Sequence, residues 1–554
     1  MNASESGSRL VKGALILSAA AIGSKLIGTL QKIPLQNLGG DAVFGIYNTV
    51  YPLYMMIITI AAAGFPAALS KFVAEAEAAG RPQESRRLLR ISSWFLVIFG
   101  LLLGAVLYVT APLAGEWIGS RQVVPALRAS ALALAFVPWM SLLRGYFQGL
   151  HNMVPTAVSQ ITEQSVRVAV MIGLLLYMIQ GGADDQDIAA GALIGSAAGG
   201  AAGLLVMGLY WRRNTRAAGD AAVGVSGGKT FSQKHDHSGT GALSAAAILR
   251  RMSAYAIPVC LSALAVPLIG MVDSLTVPRL LRNSGLPEAG MLAQFGIYNR
   301  GLPLVQLVTM LAASLSVLFI PALAEARYKG EYDLAARQSQ VALRWFWLLG
   351  LAASAGLAVL AEPVNIMLYQ DAEGSAVLRW VASTAAFGTV SVITAALLQG
   401  AGIVRAPAVH LLAAALIKLG LNLALVPQLG ITGAAIAGVA AHGAAAALNT
   451  ALLVRHAGVR LSPAHLLLWP ALVTAGLAMA AWAASTAAGG LVEAAAGPGR
   501  LSAAAASLAG VAAGGGAFVA GAALTKLLSE EELLLLPKAG RPLAALLRKM
   551  RLLR

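Results

Sequence analysis

Among the ionisable side chains in long apolar stretches of this sequence, eight are candidates for a functional site, because a charge there is costly unless it faces a polar cavity or a partner. Six are cations and two are acids, namely Lys25, Lys32, Arg144, Arg167, Arg300 and Lys418, and Glu163 and Asp273. A surplus of cations predicts a cavity that binds an anion. Arginine suits phosphate in particular, because its planar group donates two parallel hydrogen bonds to phosphate oxygens.

Two kinds of role are predicted for these residues. Five cations are predicted to hold an anionic substrate: Lys25, Arg144, Arg167, Arg300 and Lys418. The acids Glu163 and Asp273 are predicted to position that substrate or to couple its movement to a proton or a sodium ion. The alternative for each group is structural, in which it ties helices together or extends to the membrane surface.

Helical spacing gives a further expectation for two of the apolar stretches. Glu163 and Arg167 are four residues apart, so they share one face of a helix and are predicted to pair. A later stretch has Ala414 and Lys418 at the same spacing. Lys418 is therefore expected to have no acid within its own helix.

The sequence offers little for catalysis or for a bound cofactor. It contains no Gly-x-x-x-x-Gly-Lys-Ser/Thr phosphate loop, so no ATPase site is predicted. No Ser/His/Asp or Cys/His set and no metal-ligand cluster falls in a plausible site. We predict no enzyme, no metal and no cofactor, and we expect movement to be driven by the membrane potential or by a Na⁺ or H⁺ gradient.

The elements that must position these charges are membrane-spanning helices. The chain has 554 residues, of which 58% are hydrophobic and 12% charged, and its mean hydropathy is +0.74. Because the apolar runs are continuous and about 20 residues long, they predict helices rather than a barrel. We count about fourteen, near residues 11–35, 44–72, 91–112, 123–149, 154–180, 188–211, 252–278, 295–323, 342–361, 376–400, 406–427, 431–454, 465–488 and 501–526.

The formal net charge of +16 follows the predicted membrane topology. Lys and Arg concentrate in alternate loops, near residues 71–90, 212–251, 327–344 and 455–460, and most of the loops between them are acidic or neutral. This pattern places both termini in the cytoplasm. It argues against a nucleic-acid partner, because the basic residues are explained by topology.

One short motif occurs twice, 251 positions apart. Phe44-Gly45-Ile46-Tyr47-Asn48 returns as Phe295-Gly296-Ile297-Tyr298-Asn299. At the same offset, four further pairs of sites match: Pro52-Leu53 with Pro303-Leu304, Trp94-Phe95 with Trp345-Phe346, Gln148-Gly149 with Gln399-Gly400, and Arg167 with Lys418. The repeat predicts two pseudo-symmetric six-helix lobes, and paired lobes of this kind usually hold a substrate in the cleft between them.

Five segments are predicted along the chain. They are a first lobe at 10–211, a flexible cytoplasmic linker at 212–250, a second lobe at 251–455, two extra membrane helices at 456–526, and a basic amphipathic cytoplasmic tail at 527–554. The tail is expected to lie on the inner leaflet, and a site for a cytoplasmic partner is the alternative.

Several segments resemble a known family of exporters. They are Gly40-Asp41 with Phe44–Asn48, Gly64-Phe65-Pro66-Ala67, Arg144-Gly145-Tyr146-Phe147-Gln148-Gly149, and Gly296–Arg300. These resemble stage V sporulation protein B and the lipid II flippases, which form the polysaccharide-transport branch of the multidrug/oligosaccharidyl-lipid/polysaccharide exporter superfamily. The resemblance implies two lobes in a V around a central cavity, and alternating access.

The resemblance also implies a substrate and the residues that bind it. The substrate would be an undecaprenyl-pyrophosphate-linked sugar, as in cell-wall and spore-wall synthesis. Lipid II flippases use basic residues on their first, second and eighth helices; Lys25 and Arg300 are the counterparts on the first and eighth. The second helix has only Asn48 and Thr49 in its outer half, where those flippases have an arginine.

Together these features predict a flippase in the cytoplasmic membrane of a bacterium. Its partners would be the lipid-linked saccharide, membrane lipids and, as an open expectation, cell-wall synthesis proteins. Two alternatives remain: a cation-coupled multidrug exporter of the same fold, and a membrane scaffold for cell-wall enzymes that transports nothing.

Overall fold

A computed structural model describes residues 3–62, 64–224, 244–458 and 464–525, together with the single residues 527, 545 and 548. Across these ranges the regular structure is helical and contains no strand, which confirms the all-α class. The predicted tail at 527–554 lies outside the described residues except at those three positions. The centre of the predicted linker, 225–243, also lies outside them.

Twelve helical stretches in the described part of the chain are long and apolar enough to cross a membrane. The first, Ile16–Ala78, has 63 residues and covers two of the predicted runs. The run predicted at 252–278 lies within one continuous helix of 39 residues. The protein is therefore a multi-pass membrane protein, while the number fourteen and the V-shaped pair of lobes stay predictions.

The described chain divides into two compact units, Met1–Gly39 with Thr49–Pro267, and Gly40–Asn48 with Leu268–Arg554. The predicted segment boundaries stay a prediction. Helices that begin before residue 268 are α1 Ala3–Leu30, α2 Lys32–Ala62, α3 Gly64–Ala78, α4 Pro82–Ile118, α5 Val123–Ala131, α6 Val137–Gly149, α7 Val154–Gln180, α8 Asp185–Gly224 and α9 Ala245–Asn283. A short 3₁₀ helix, Leu132–Ala135, joins α5 to α6.

The remaining helices all belong to the second unit. They are α10 Glu288–Asn299, α11 Leu302–Ser316, α12 Phe319–Tyr328, α13 Tyr332–Val359, α14 Ala361–Tyr369, α15 Ser375–Gly400, α16 Ala406–Leu429, α17 Ile431–Ala457, α18 Trp469–Ala496 and α19 Arg500–Leu524. The last two cover the predicted extra spans and pack along each other.

Helix also covers both ends of the predicted linker. α8 continues to Gly224 and α9 begins at Ala245, whereas the prediction had a flexible segment from 212 to 250. The residues just after Thr215 include several alanines, which have the highest helix propensity. Residues 212–224 are therefore helical, and the flexibility and bounds of the linker stay a prediction.

The core of the first unit forms where α3, α4, α6 and α8 pack together. Leu69, Leu96, Leu142 and Met207, one from each helix, are fully buried there. Apolar side chains at these positions meet neighbouring helices rather than lipid. The core thereby fixes α6, which carries Arg144, and α8, whose Gly203 accepts a hydrogen bond from Ser159, a partner of Arg144.

Glycines of α6 allow it to lie very close to α3. A β-carbon added at Gly145 would lie 2.4 Å from the carbonyl oxygen of Pro66, and one at Gly149 would lie 2.6 Å from that of Ser70. Small residues permit such backbone contact between membrane helices. The glycines of the Arg144–Gly149 motif are therefore required by packing.

In the second unit, the two copies of the repeated motif pack against each other. A β-carbon at Gly45 would lie 1.9 Å from the carbonyl oxygen of Leu292, and one at Gly296 would lie 2.1 Å from that of Asp41. Leu292 and Asp41 are themselves 251 residues apart, so the two contacts are equivalent under the repeat. Glycine is needed in both copies because their backbones touch.

A break in α2 precedes this crossing. Gly40 has φ 78° and ψ 177°, outside the helical region. Glycine adopts a positive φ without steric cost. The chain thus changes direction one residue before Asp41, whose side chain takes part in the site described below.

Candidate functional site

Arg144 connects three helices of the first unit. Its Nη2 lies 2.9 Å from Oε2 of Glu163 on α7, and its Nε and Nη2 donate to Oγ of Ser159 at 3.1 and 2.7 Å. Ser159 in turn donates to the carbonyl oxygen of Gly203 on α8 at 3.0 Å. The ion pair seen for Glu163 is thus with Arg144 of α6, whereas the sequence predicted Arg167 of its own helix.

Arg167 lies in a more polar and aromatic environment. Its Nε and Nη2 donate to Oγ of Ser196 at 3.0 and 2.8 Å, and Nη2 also donates to the hydroxyl of Tyr54 at 3.5 Å. The guanidinium carbon is 5.9 Å from the ring centre of Tyr51. Sequence reasoning missed both tyrosines, although two tyrosines one turn apart in an apolar helix are a usable signal.

Lys32 contacts the same tyrosine ring as Arg167. Its Nζ lies 5.7 Å from the ring centre of Tyr51, within the range of a cation–π contact. Both cations are partly exposed. Tyr51 thus brings two positive groups from different helices to one place, and we call Lys32, Tyr51, Tyr54, Arg167 and Ser196 the tyrosine-cation cluster.

Lys25 lies on the helical turns just before Lys32. Lys25 lies in the last turns of α1 and Lys32 begins α2, seven residues further along the chain. Lys25 is exposed and has no hydrogen bond or ion pair within the described part of the chain.

Arg300 is enclosed by acids of the second unit and is only 1% exposed. Its Nε and Nη2 donate to Asp41 at 2.9 and 2.5 Å. Its Nη1 and Nη2 donate to Asp371 at 2.6 and 3.0 Å, and Nη1 also reaches the carbonyl oxygen of Glu373 at 3.2 Å. All five N–H donors of the guanidinium are engaged, so Arg300 is a neutralised group in this structure, and its role in binding substrate stays a prediction.

The arginine also affects the titration of its neighbour in the loop between α14 and α15. Burial alone would raise the pKa of Asp371, but hydrogen bonds from Arg300 and from the Glu373 backbone N–H bring that pKa below its ordinary value. Tyr369 closes the site from another side, since its hydroxyl donates to the Arg300 carbonyl oxygen at 2.8 Å. The loop is thereby held on the end of α10.

Lys418 also has a partner that the sequence did not reveal. Its Nζ donates to Oδ2 of Asp273 on α9 at 2.5 Å. The hydroxyl of Tyr298 donates to the same oxygen at 2.9 Å, and Asn422 donates to Oδ1 at 3.1 Å. The expectation concerned only its own helix, which supplies no acid; the acid that pairs with Lys418 lies on α9, 145 residues away in sequence.

The charges consequently divide unevenly between the units. In the first unit, four of these cations accompany one acid: Lys25, Lys32, Arg144 and Arg167, with Glu163. In the second unit, two cations accompany three acids: Arg300 and Lys418, with Asp41, Asp273 and Asp371. The predicted cation surplus thus belongs to the first unit. No group of three or more His, Cys, Asp or Glu side chains suited to a metal ion occurs among the described residues.

Comparison with known proteins decides the family. Residues 10–327, more than half of the chain, match the model of the polysaccharide biosynthesis protein family. The chain belongs to this family. The branch of the exporter superfamily inferred from the sequence motifs is confirmed.

Relatives of this polysaccharide biosynthesis protein occur in Bacillus subtilis (strain 168). The uncharacterized membrane protein YabM is 32% identical over 79% of this chain and 79% of its own length. The lipid II flippase MurJ is 28% identical over 81% and 84%, and stage V sporulation protein B is 26% identical over 77% and 80%.

Solved structures agree on the fold. The lipid II flippase MurJ in an inward closed conformation matches with a TM-score of 0.63, at 11% identity, over 92% of this chain and 98% of that chain. An inward-facing multidrug resistance transporter of the MATE family matches with a TM-score of 0.59, at 15% identity, over 78% and 94%. This member of the polysaccharide biosynthesis protein family therefore has an exporter fold.

Proposed function

We propose that this protein is a flippase of the bacterial cytoplasmic membrane. It moves an undecaprenyl-pyrophosphate-linked oligosaccharide or peptidoglycan precursor from the inner to the outer leaflet by alternating access. The observation that carries the proposal is the surplus of cations in the first unit, centred on the tyrosine-cation cluster. The names of two relatives, a lipid II flippase and a sporulation protein, support the same class of activity.

In this proposal the pyrophosphate binds at the tyrosine-cation cluster. Arg167 and Lys32 supply positive charge on either side of a shared aromatic contact, and Lys25 lies seven residues before Lys32 in the chain. Arginine hydrogen-bonds phosphate oxygens in pairs. The hydroxyls of Tyr54 and Ser196, which contact Arg167, would hold it in place in the absence of substrate.

The ion pairs play a different part in this proposal. Arg144 with Glu163, and Lys418 with Asp273, keep helices together within their own units, and a proton or sodium ion at either acid would compete with the paired cation. Such competition offers a route for coupling. The membrane potential supplies about 2.3 kcal/mol per elementary charge at 100 mV, which is enough to bias a cationic empty carrier.

The first test is depletion of the protein in its native host, in a strain without redundant relatives. Undecaprenyl-linked intermediates are measured by mass spectrometry, and an impermeant probe scores the leaflet. We expect one intermediate to accumulate on the inner leaflet, which would also identify the sugar. An unchanged lipid-linked pool would overturn the proposal.

Variants connect that readout to the site. Arg167→Gln and Lys25→Gln are expected to lower complementation at least tenfold with normal membrane insertion. The matched control is Lys329→Gln, which removes an exposed lysine that pairs with Glu325 at 2.6 Å, one helical turn earlier. Equal activity of all three variants would exclude the cluster as the binding site.

A multidrug exporter is the second candidate, because a MATE transporter shares the fold. Such a pump needs an acidic, aromatic pocket for organic cations, whereas the first unit has an excess of positive groups. Export of a cationic dye that persists in Lys25→Gln and Arg167→Gln, together with an unchanged lipid-linked pool, would favour this candidate over the flippase.

A further inference from the structure

A groove in the first unit takes no part in the site described above. Helices α4, α6 and α8 enclose a cavity of about 860 Å³, which is lined by three arginines and three tryptophans. They are Arg86, Arg90, Arg212, Trp94, Trp139 and Trp211. None of these residues belongs to the tyrosine-cation cluster, so the groove is a separate feature of the unit.

The groove has a charged end and an apolar end. Arg86 and Arg90 lie in the first turns of α4, and Arg212 lies beyond the apolar part of α8. All three fall within the basic segments 71–90 and 212–251. Further along, the lining is apolar, with Val97 on α4 and Leu204 on α8. α6 contributes Trp139 and Leu143 and packs against both other helices.

The three arginines are available to a ligand. All three are exposed, and within the described part of the chain none forms a hydrogen bond or an ion pair with another residue. No acidic residue is among the described residues that line the groove. Three unneutralised guanidinium groups in one cavity are complementary to a phosphate.

The exposed tryptophans indicate that a phosphate bound here would belong to a lipid headgroup. Trp94 is 68% exposed and Trp139 is 38% exposed, which is unfavourable in water and normal at the boundary between lipid headgroups and acyl chains. Basic pockets between membrane helices on the cytoplasmic side bind anionic lipid headgroups. A soluble phosphate compound would leave the apolar half of the groove without a partner.

We propose that this groove binds an anionic phospholipid of the inner leaflet. The lipid phosphate contacts Arg86, Arg90 and Arg212, and an acyl chain follows the apolar end past Trp94 and Trp139. This site takes a resident membrane lipid rather than the transported substrate. The proposal does not rest on the flippase function, because it concerns binding alone.

The experiment measures binding of phosphatidylglycerol to the purified full-length protein in phosphatidylcholine nanodiscs. Brominated phosphatidylglycerol quenches tryptophan fluorescence where it binds. We expect saturable quenching by this lipid at low fractions, only non-saturable background quenching by brominated phosphatidylcholine at the same fractions, and no displacement by inorganic phosphate. Equal quenching by both lipids, or displacement by phosphate alone, would overturn the proposal.

A triple variant and its control separate a site from general attraction to the membrane. Arg86→Gln/Arg90→Gln/Arg212→Gln is expected to weaken binding by roughly fivefold per arginine. The control Arg213→Gln/Arg216→Gln/Arg250→Gln removes equal charge from nearby exposed positions that do not line the groove. Unchanged binding in the first variant, or equal losses in both, would contradict the site.

A second variant tests the apolar half of the groove without changing charge. A β-carbon added at Gly208, which lines the groove, meets no atom within 4 Å, so Gly208→Phe places a ring in the cavity without a backbone clash. We expect it to abolish saturable quenching. Gly173→Phe on α7, where a β-carbon also meets nothing within 4 Å, is the control and should bind normally; binding by Gly208→Phe as strong as by the control would refute the acyl-chain placement.

Discussion

Nζ of Lys418 lies 2.5 Å from Oδ2 of Asp273, and both side chains are buried. A buried ion pair contributes little net stability compared with an apolar pair, but the removal of one partner leaves an uncompensated charge. The pair is also fixed by hydrogen bonds from Tyr298 and Asn422 to the same carboxylate. Replacing one member of the pair should therefore destabilise the protein far more than replacing both.

We predict that Asp273→Asn destabilises the protein by about 3–5 kcal/mol, because it leaves the Lys418 ammonium buried without a counter-ion. The double variant Asp273→Asn/Lys418→Met should recover most of this loss. The measurement is the midpoint of thermal unfolding in detergent. Equal midpoints for the single and double variants would show that the two residues are not coupled.

The pH dependence of the Arg300 site has a definite sign. The folded-state pKa of Asp371 lies below its ordinary value of 3.8, so its contribution to stability is complete above pH 3.8. That contribution is lost as the pH falls from this value through the lower folded-state pKa. We expect Asp371→Asn to show a smaller loss of stability than the unaltered protein when the pH falls from 5 to 3.

Arg300→Lys gives a complementary prediction for the same site. A lysine has three donors on one nitrogen and cannot bind two carboxylates in pairs. The variant should lose both overall stability and the part of the pH dependence that Asp371 contributes. Unfolding curves at pH 3 and pH 7 check this, and an unaltered difference between the two pH values would contradict the role assigned to Arg300.

Glycine replacement tests the crossing between the two motif copies. Gly45→Ala and Gly296→Ala each place a methyl group against a backbone carbonyl and should cost about 1–3 kcal/mol. Because both act on one crossing, the double variant should cost less than the two losses combined. Gly420→Ala, where a β-carbon meets nothing within 4 Å, is the control and should be neutral or stabilising.

The ring of Tyr51 provides a test that concerns function more than stability. We expect Tyr51→Phe to keep translocation, because a phenyl ring still attracts Lys32 and Arg167. Tyr51→Leu should lower translocation several-fold while membrane insertion stays normal. Complementation of a depleted strain measures both, and equal activity of the two variants would show that the ring has no role in placing the cations.

Much of the fold was predictable because the membrane imposes simple rules. Continuous apolar runs predicted helices, and the motifs at 44–48 and 144–149 predicted the family. The partners of the buried charges were not predictable. Lys418 and Asp273 lie on helices distant in sequence, and the Arg144–Glu163 pair joins two helices, whereas helical spacing had favoured a pair within one helix.

Arg300 shows the limit of counting charges in apolar runs. Asp41 follows the break in α2 and Asp371 lies in a loop, so neither was counted as a charge within a span. Both nevertheless reach the guanidinium: the glycine crossing brings Asp41 beside α10, and the loop between α14 and α15 brings Asp371 to the same group. A count that included acids at helix ends would have placed the cation surplus in the first unit.

The Gly45–Gly296 crossing has the geometry of a two-fold contact between identical subunits, although it lies within one chain. In a homodimer, one mutation changes both halves of such an interface at once. Here each half can change alone, and it has done so: the position equivalent to Asp41 is Leu292, and the position equivalent to Arg300 is Thr49. The backbone contact is therefore symmetric, whereas the charged clamp beside it is one-sided.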